Sequence, residues 1–218
     1  MLNLIVKDIL IQKKIFLFGF IYIVLIMISF QQSGSTMFGT SVVAFTYILI
    51  QSACAYDDKN KSDVLLNSLP ISRVTIVSAR YVSIFIFAAI ATAYYLIISV
   101  IIRASGLPIQ IYVVTFESVL GVLFALLLIS SIYLPIFFKV GYIKSKTINF
   151  IVFFIVFFGG TVYLQDLAKK DVPFVRSALE FISRQSDTTI AAALIAVMVL
   201  MLVVSYCLAL HNYRKREF

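Results

Sequence analysis

The chain has 218 residues, 62% of them hydrophobic and 13% charged, with a mean hydropathy of +1.05 and a net charge of +8. A soluble globular chain is about half apolar and about a quarter charged. A water-soluble fold is therefore excluded, because it could not hide this much apolar surface, whereas a bilayer core is itself apolar solvent. The positive balance does not indicate nucleic acid either, since no basic stripe interleaves with exposed aromatics.

The first element is LNLIVKDILIQKK. Asn3, Lys7 and Lys14 fall on one side of a helix and Leu2, Ile5, Ile9 and Leu10 on the other, the pattern of an interfacial helix over residues 1–14. A plain extension of the first span is the alternative. Apolar runs then predict six spans, at Ile15–Phe30, Met37–Tyr56, Val82–Ile102, Ile111–Phe138, Ile148–Leu164 and Thr189–Leu210. About 20 apolar residues cross a bilayer core, and apart from Glu117 in the fourth run these segments hold no Asp, Glu, Lys or Arg. Backbone polar groups in lipid must bond within a helix or a closed barrel. A barrel would alternate polarity over about ten residues, and these runs are continuously apolar, so the expected class is all-α, a single polytopic transmembrane domain over 1–218. The basic start followed by Ser33-Gly34-Ser35 also has the form of a cleavable signal peptide; the Leu/Ile-rich stretch before the run argues against cleavage.

Lys and Arg set the orientation. With the N-terminus inside, Lys7, Lys13, Arg73, Arg80, Lys139 and Arg214 belong to the inward majority of the 18 basic residues, while Arg103, Lys169, Lys170, Arg176 and Arg184 lie outside. Acidic residues divide evenly, so the positive-inside rule places both termini in the cytoplasm. There is no Trp, and Tyr56, Tyr81, Tyr112, Tyr142, Tyr163 and Tyr213 fall near span ends, where amphipathic rings anchor.

Two connections carry their own pattern. In the outer segment 165–187, Phe174, Val175, Ala178, Leu179 and Ile182 share a face, which is helical period, with Pro173 acceptable in a first turn; a loop is the alternative. The inner segment 57–81 reads DDKNKSDVLLNSLPISRVTIVSARY. A short apolar turn, Val64–Leu69, is interrupted by Pro70, and Ser72 can N-cap the helix that enters the third span. Leu65, Leu66 and Leu69 offer an apolar face, and Asp63, Asn67 and Arg73 offer polar contacts. Such a helix either docks a partner or packs back as a re-entrant connection.

The run DDKNKS, then LLNSLPISR, then IV and RY entering a span resembles the signature of bacterial ABC type-2 exporter permeases. It is most similar to the short six-span group associated with peptide or antibiotic export, to which the staphylococcal phenol-soluble-modulin exporter permeases belong. In topology the resemblance covers nearly the whole chain; its specific motif is residues 57–81. The resemblance implies a cytoplasmic coupling helix between spans 2 and 3, seated in a groove of an ATP-binding subunit, with Asp63, Val64, Leu65, Leu66, Asn67, Ser68, Leu69, Pro70 and Arg73 as interface candidates. It also implies a pair of ATP-binding subunits that hold ATP and Mg, a second copy of this permease or a related one, and a bacterial plasma membrane around them.

This chain itself offers no catalytic set. No GxxxxGK[ST] loop, HExxH or GxSxG occurs, so no cofactor or metal is expected on it and ATP hydrolysis falls to a separate subunit. Cys54 and Cys207 lie within apolar runs and read as buried small hydrophobes, and the lone His211 as a solvated tail residue. Glu117 sits about two turns from the outer end of its span: it either meets headgroups and water or faces a cavity on the substrate path. Ala89 and Ala93, Ala192 and Ala196, and Gly159-Gly160 allow close helix approach, within one subunit or between two. Pro135 is expected to kink the fourth span. Rival functions are a vitamin-uptake membrane subunit, which would bind its vitamin when alone, a non-transporting immunity protein, which would need no ATPase, and an intramembrane hydrolase, for which the spans lack paired acids or metal ligands.

Overall fold

The computed structural model describes residues 1–106, 109–154 and 186–216. Among these residues there are helices and no strands: α1 (Leu2–Ile11), α2 (Lys13–Ser29), α3 (Ser35–Lys59), α4 (Ser62–Ser68), α5 (Arg73–Ala104), α6 (Phe116–Val140), α7 (Tyr142–Phe154) and α8 (Asp187–Lys215). Four of them, α3, α5, α6 and α8, are long and apolar enough to cross a membrane, and α1 with α2 makes a fifth if the bent pair counts as one span. The four coincide with the expected second, third, fourth and sixth spans. The expected first span is α2, 17 residues long. The expected fifth begins in α7 and passes after Phe154 outside the described residues, as do Gly159, Gly160 and all of the expected outer helix before Ser186.

α3 lies at the centre, packed on α2, α5, α6 and α7, with 56% of its most apolar window buried; α8 lies at the rim, against α6 and α5, with 17% buried. Lipid removes the hydrophobic drive between helices, so contact rests on close packing and hydrogen bonds. Aromatic rings supply much of it: Phe38 meets Tyr95 edge-on at 5.1 Å, and Phe138 meets Tyr213 at 5.1 Å. Gly19 is the point where α2 reaches α3. A Cβ there would lie 2.1 Å from Cζ of Phe45, so any larger residue must displace the ring. Outward faces stay apolar, as with Leu17 and Phe18 on α2 and Val100 on α5.

α1 and α2 meet at 65° across Gln12, whose buried side chain donates to the Asp8 carbonyl at 3.0 Å. α1 is thus a separate element. It exposes Leu2, Val6 and Leu10 and turns Ile5 and Asp8 into the bundle.

α6 begins at Phe116, after the expected Ile111, because Thr115 and Ser118 form a reciprocal capping box. The helix continues through Pro135. Proline has no N–H for the Ser131 carbonyl one turn back, and Ser205 Oγ of α8 supplies the missing donor at 2.9 Å. With its proton so engaged, Ser205 accepts from the Tyr81 hydroxyl of α5 at 2.6 Å. Asn212 of α8 donates to the Pro135 carbonyl at 3.0 Å. One proline thereby ties three helices.

The expected loop between spans 4 and 5 shrinks to Gly141, at φ 79° and ψ −179°, a backbone region that is essentially glycine-only. Asp58 accepts the Tyr142 N–H at 3.4 Å on the far side of this turn. Lys144 and Lys146 are already helical.

Candidate functional site

The ends of α1, α3, α5, α6 and α8 that carry Lys7, Asp57, Arg80, Lys139 and Arg214 gather at one basic end of the bundle, and α4 stands there between α3 and α5. Lys61 enters it in the left-handed region, at φ 48°. Leu69 leaves it extended, at ψ 155°, as the residue before a proline must. Ser72 then N-caps α5, accepting from the Thr75 N–H at 3.1 Å, as its sequence position suggests. α4 is one and a half to two turns long and is bounded on both sides by local chemistry.

Its apolar side chains divide. Leu66 packs on the bundle core, while Val64, Leu65 and Leu69 are 53%, 64% and 51% exposed. Pro70 and Ser68 are exposed, and the Ser68 hydroxyl turns back to the Leu65 carbonyl at 2.8 Å. The side chains of Asp63 and Asn67 lie outside those described. Arg73 faces the bundle: it donates to the carbonyls of Tyr213 and Arg214 at 3.1 and 2.8 Å and lies 5.9 Å from the Tyr213 ring. These are orphan carbonyls at the end of α8, and a guanidinium is favoured at such a helix terminus. Of the interface candidates in this segment, Val64, Leu65, Ser68, Leu69 and Pro70 are thus presented outward, and Leu66 and Arg73 fasten the segment to the bundle.

Beneath α4 lies a cluster that sequence reasoning did not assemble. Arg80 donates through Nη1 to Asp8 Oδ2 at 2.9 Å and through Nη2 to Asp57. Lys7 Nζ reaches Asp57 Oδ1 at 2.6 Å and Asp8 Oδ1 at 3.3 Å. Asp8, Asp57 and Arg80 are each less than a tenth exposed. The sequence placed Lys7 on the polar face of the interfacial helix and both Lys7 and Arg80 among the inward-facing charges, and assigned Asp8 and Asp57 no role. The available signal was Arg80 itself, a cation at the entry to the third span, where a charge that leaves water takes a partner.

A groove of about 1400 Å³ runs between α3, α6 and α7, past Thr40, Tyr47, Gln51, Ile129, Lys146 and Asn149. Within it the Tyr47 hydroxyl accepts from the amides of Gln51 and Asn149. Its middle walls are mostly aliphatic, with Val43, Ala44, Val122, Ala125 and Ile129, and Ser35, Thr36 and Ser118 line the end away from the basic one, so the groove presents an apolar middle with polar groups at both ends. Glu117 does not line it. That carboxylate is exposed in the first turn of α6, where the helix dipole favours an anion. Cys54 is buried as expected, but Cys207 is exposed on α8. Among the described residues no group of three His, Cys, Asp or Glu side chains is placed to hold a metal ion.

Fold and site together define a polytopic helical membrane protein with a short apolar helix presented at one end. The sequence matches the family described as ABC-2 family transporter protein over residues 3–214, and the chain belongs to that family. It is a family of membrane permeases, distinct from the ATPase, that work with an ATP-binding subunit. The match carries no peptide-exporting subgroup. No curated protein and no solved structure matches the chain.

Proposed function

We propose that this chain is the membrane-spanning subunit of an ATP-driven exporter for amphipathic peptides or antimicrobial compounds, with α4 as its coupling helix. The observation that carries the proposal is the face of α4. Val64, Leu65 and Leu69 stand exposed at the basic end, an apolar face of the kind that marks an interaction site. In this reading the cover is a groove of the ATP-binding subunit, and Asp63, Asn67, Ser68 and Pro70 border the contact. Two such subunits, holding ATP and Mg, close on a pair of permeases, the second copy identical or related, in a bacterial plasma membrane with both termini cytoplasmic. Six spans then cross the lipid, the fifth completed beyond Phe154. Closure moves α4 and so α3 and α5, and α3 lines the groove, whose apolar middle between polar ends suits a cargo with apolar and polar parts. Glu117 stands at the opposite end, in reach of headgroups.

Co-expression with the ATP-binding subunit tests this. Leu65→Asp with Leu69→Asp should leave membrane insertion at the wild-type level and abolish co-purification of the ATPase. A complex recovered at normal yield overturns the coupling role. Tight vitamin binding by the isolated chain would favour the uptake-subunit alternative instead, and self-protection without any ATPase would favour the immunity protein.

A further inference from the structure

We propose that Arg80 is a positioning residue that fastens α1 to both legs of the α4 loop, so that α1, α3, α4 and α5 shift as one body when α4 is pushed. The proposal rests on the assignment of α4 as the coupling helix. α4 hangs between the end of α3 and the start of α5, and Arg80 of α5 pairs with Asp57 of α3 across the base of that loop. The other arm of the same guanidinium holds Asp8 of α1 at 2.9 Å, and Lys7 closes the ring onto Asp57 at 2.6 Å. Two cations and two anions leave the ring neutral.

Three features make it a clamp and not a switch. Arg80, Asp8 and Asp57 are buried, and removing one partner from a buried pair leaves an uncompensated charge, which is strongly unfavourable. Each member therefore holds the others through any motion that keeps the site dry. The guanidinium is a planar fork with donors for two carboxylates at once, which an ammonium point charge does not reproduce. Finally, the first turn of α1 does not itself close on the loop: Met1, Asn3 and Leu4 face Pro70, Ile71, Ser72 and Thr75 across a cleft of about 530 Å³. The ring, one turn further along α1, bridges to both legs beside the buried Ile5.

The consequence is that α1 follows α4. A helix that exposes Leu2, Val6 and Leu10 along the bundle edge becomes a third leg that carries the displacement toward α2, to which it is joined through Gln12.

The test uses the full chain in complex with its ATP-binding subunit in lipid nanodiscs, with Cys54 and Cys207 replaced by alanine and spin labels at positions 3 and 60. The wild-type ring predicts one interlabel distance, the same with and without ATP. Arg80→Lys keeps the charge and gives up one carboxylate; it should yield a second distance on ATP addition, with the complex still intact and the KM for ATP unchanged. A second variant, Arg80→Met with Asp8→Asn, preserves neutrality and should behave alike. If the wild-type distance changes on ATP, or if both variants keep the single distance, the clamp is overturned. Failure of the coupling assignment shows elsewhere, as an ATPase complex that survives Leu65→Asp with Leu69→Asp.

Discussion

A guanidinium inside an apolar bundle needs anions within reach, and Arg80 has two. Asp57→Asn removes one of them and strands part of the charge. Single removal from a buried pair costs about 3–5 kcal/mol, so the variant should be recovered in low yield or with a clearly lowered thermal midpoint in detergent. Gly19 makes the opposite kind of demand, for space. Alanine there places a carbon against the Phe45 ring, and overpacking costs about 1–3 kcal/mol. Gly19→Ala should lower the midpoint, and Phe45→Leu in the same chain should restore most of the loss. A Gly19→Ala protein as stable as wild type would show that the ring moves freely. The contacts of neither residue were legible in the sequence. Gly19 is one glycine in a continuous apolar run, and nothing in residues 13–29 says which neighbour approaches it. Arg80 was legible as a positive charge at a span end, but the identity of its partners depends on which helices meet.

At the scale of elements, α6 shows how a local defect becomes a tertiary contact. Pro135 frees the Ser131 carbonyl, and Ser205 takes it up. Interhelical hydrogen bonds of this type in membranes average about 0.6 kcal/mol and reach about 1.7. Ser205→Ala should therefore cost about 1 kcal/mol in the wild-type background. In a Pro135→Ala background the helix supplies its own N–H to Ser131, and the same substitution should cost less. A double-mutant cycle by thermal unfolding measures the difference; additive costs would separate Ser205 from the proline. The turn between α6 and α7 is equally specific. Gly141→Ala forces a side chain into a glycine-only backbone region, worth about 1–3 kcal/mol, and sets its Cβ 3.2 Å from Asp58 Oδ1. The element boundaries were partly readable. Ser72 marks the start of α5 because its hydroxyl is a good N-cap, and Pro70 ends the α4 segment because of the restriction on Leu69. The start of α6 was not: Val113 and Val114 extend the apolar run, and hydropathy does not register that Thr115 and Ser118 close a capping box behind them.

For the whole molecule, side chains at one end of the bundle carry most of the positive charge, which predicts its orientation across the membrane. Single cysteines at Asn60 and Ser105, at opposite ends of α3 and α5 and both exposed, should differ in access to an impermeant thiol reagent in a background lacking Cys54 and Cys207. Position 105 should label in intact cells and position 60 only after permeabilisation. The reverse pattern would turn the protein over and place α4 where no cytosolic ATPase reaches it.

Composition and hydropathy by themselves determined that this chain is a helical membrane protein and where most of its spans run. Lipid acts on each segment separately: an unbroken apolar stretch must be helical wherever it sits, because its own backbone groups have only one another to bond. The short helix between the second and third spans was determined in the same local way, by a proline and a capping serine. Tertiary structure alone decided what those helices do to each other. It turned Leu66 and Arg73 inward and left Val64, Leu65 and Leu69 outward, and it brought positions 7, 8, 57 and 80 into one ring. Those outcomes follow from helix packing angles and from the pairing of charges far apart in the chain, and neither has a signature in the residues immediately around them.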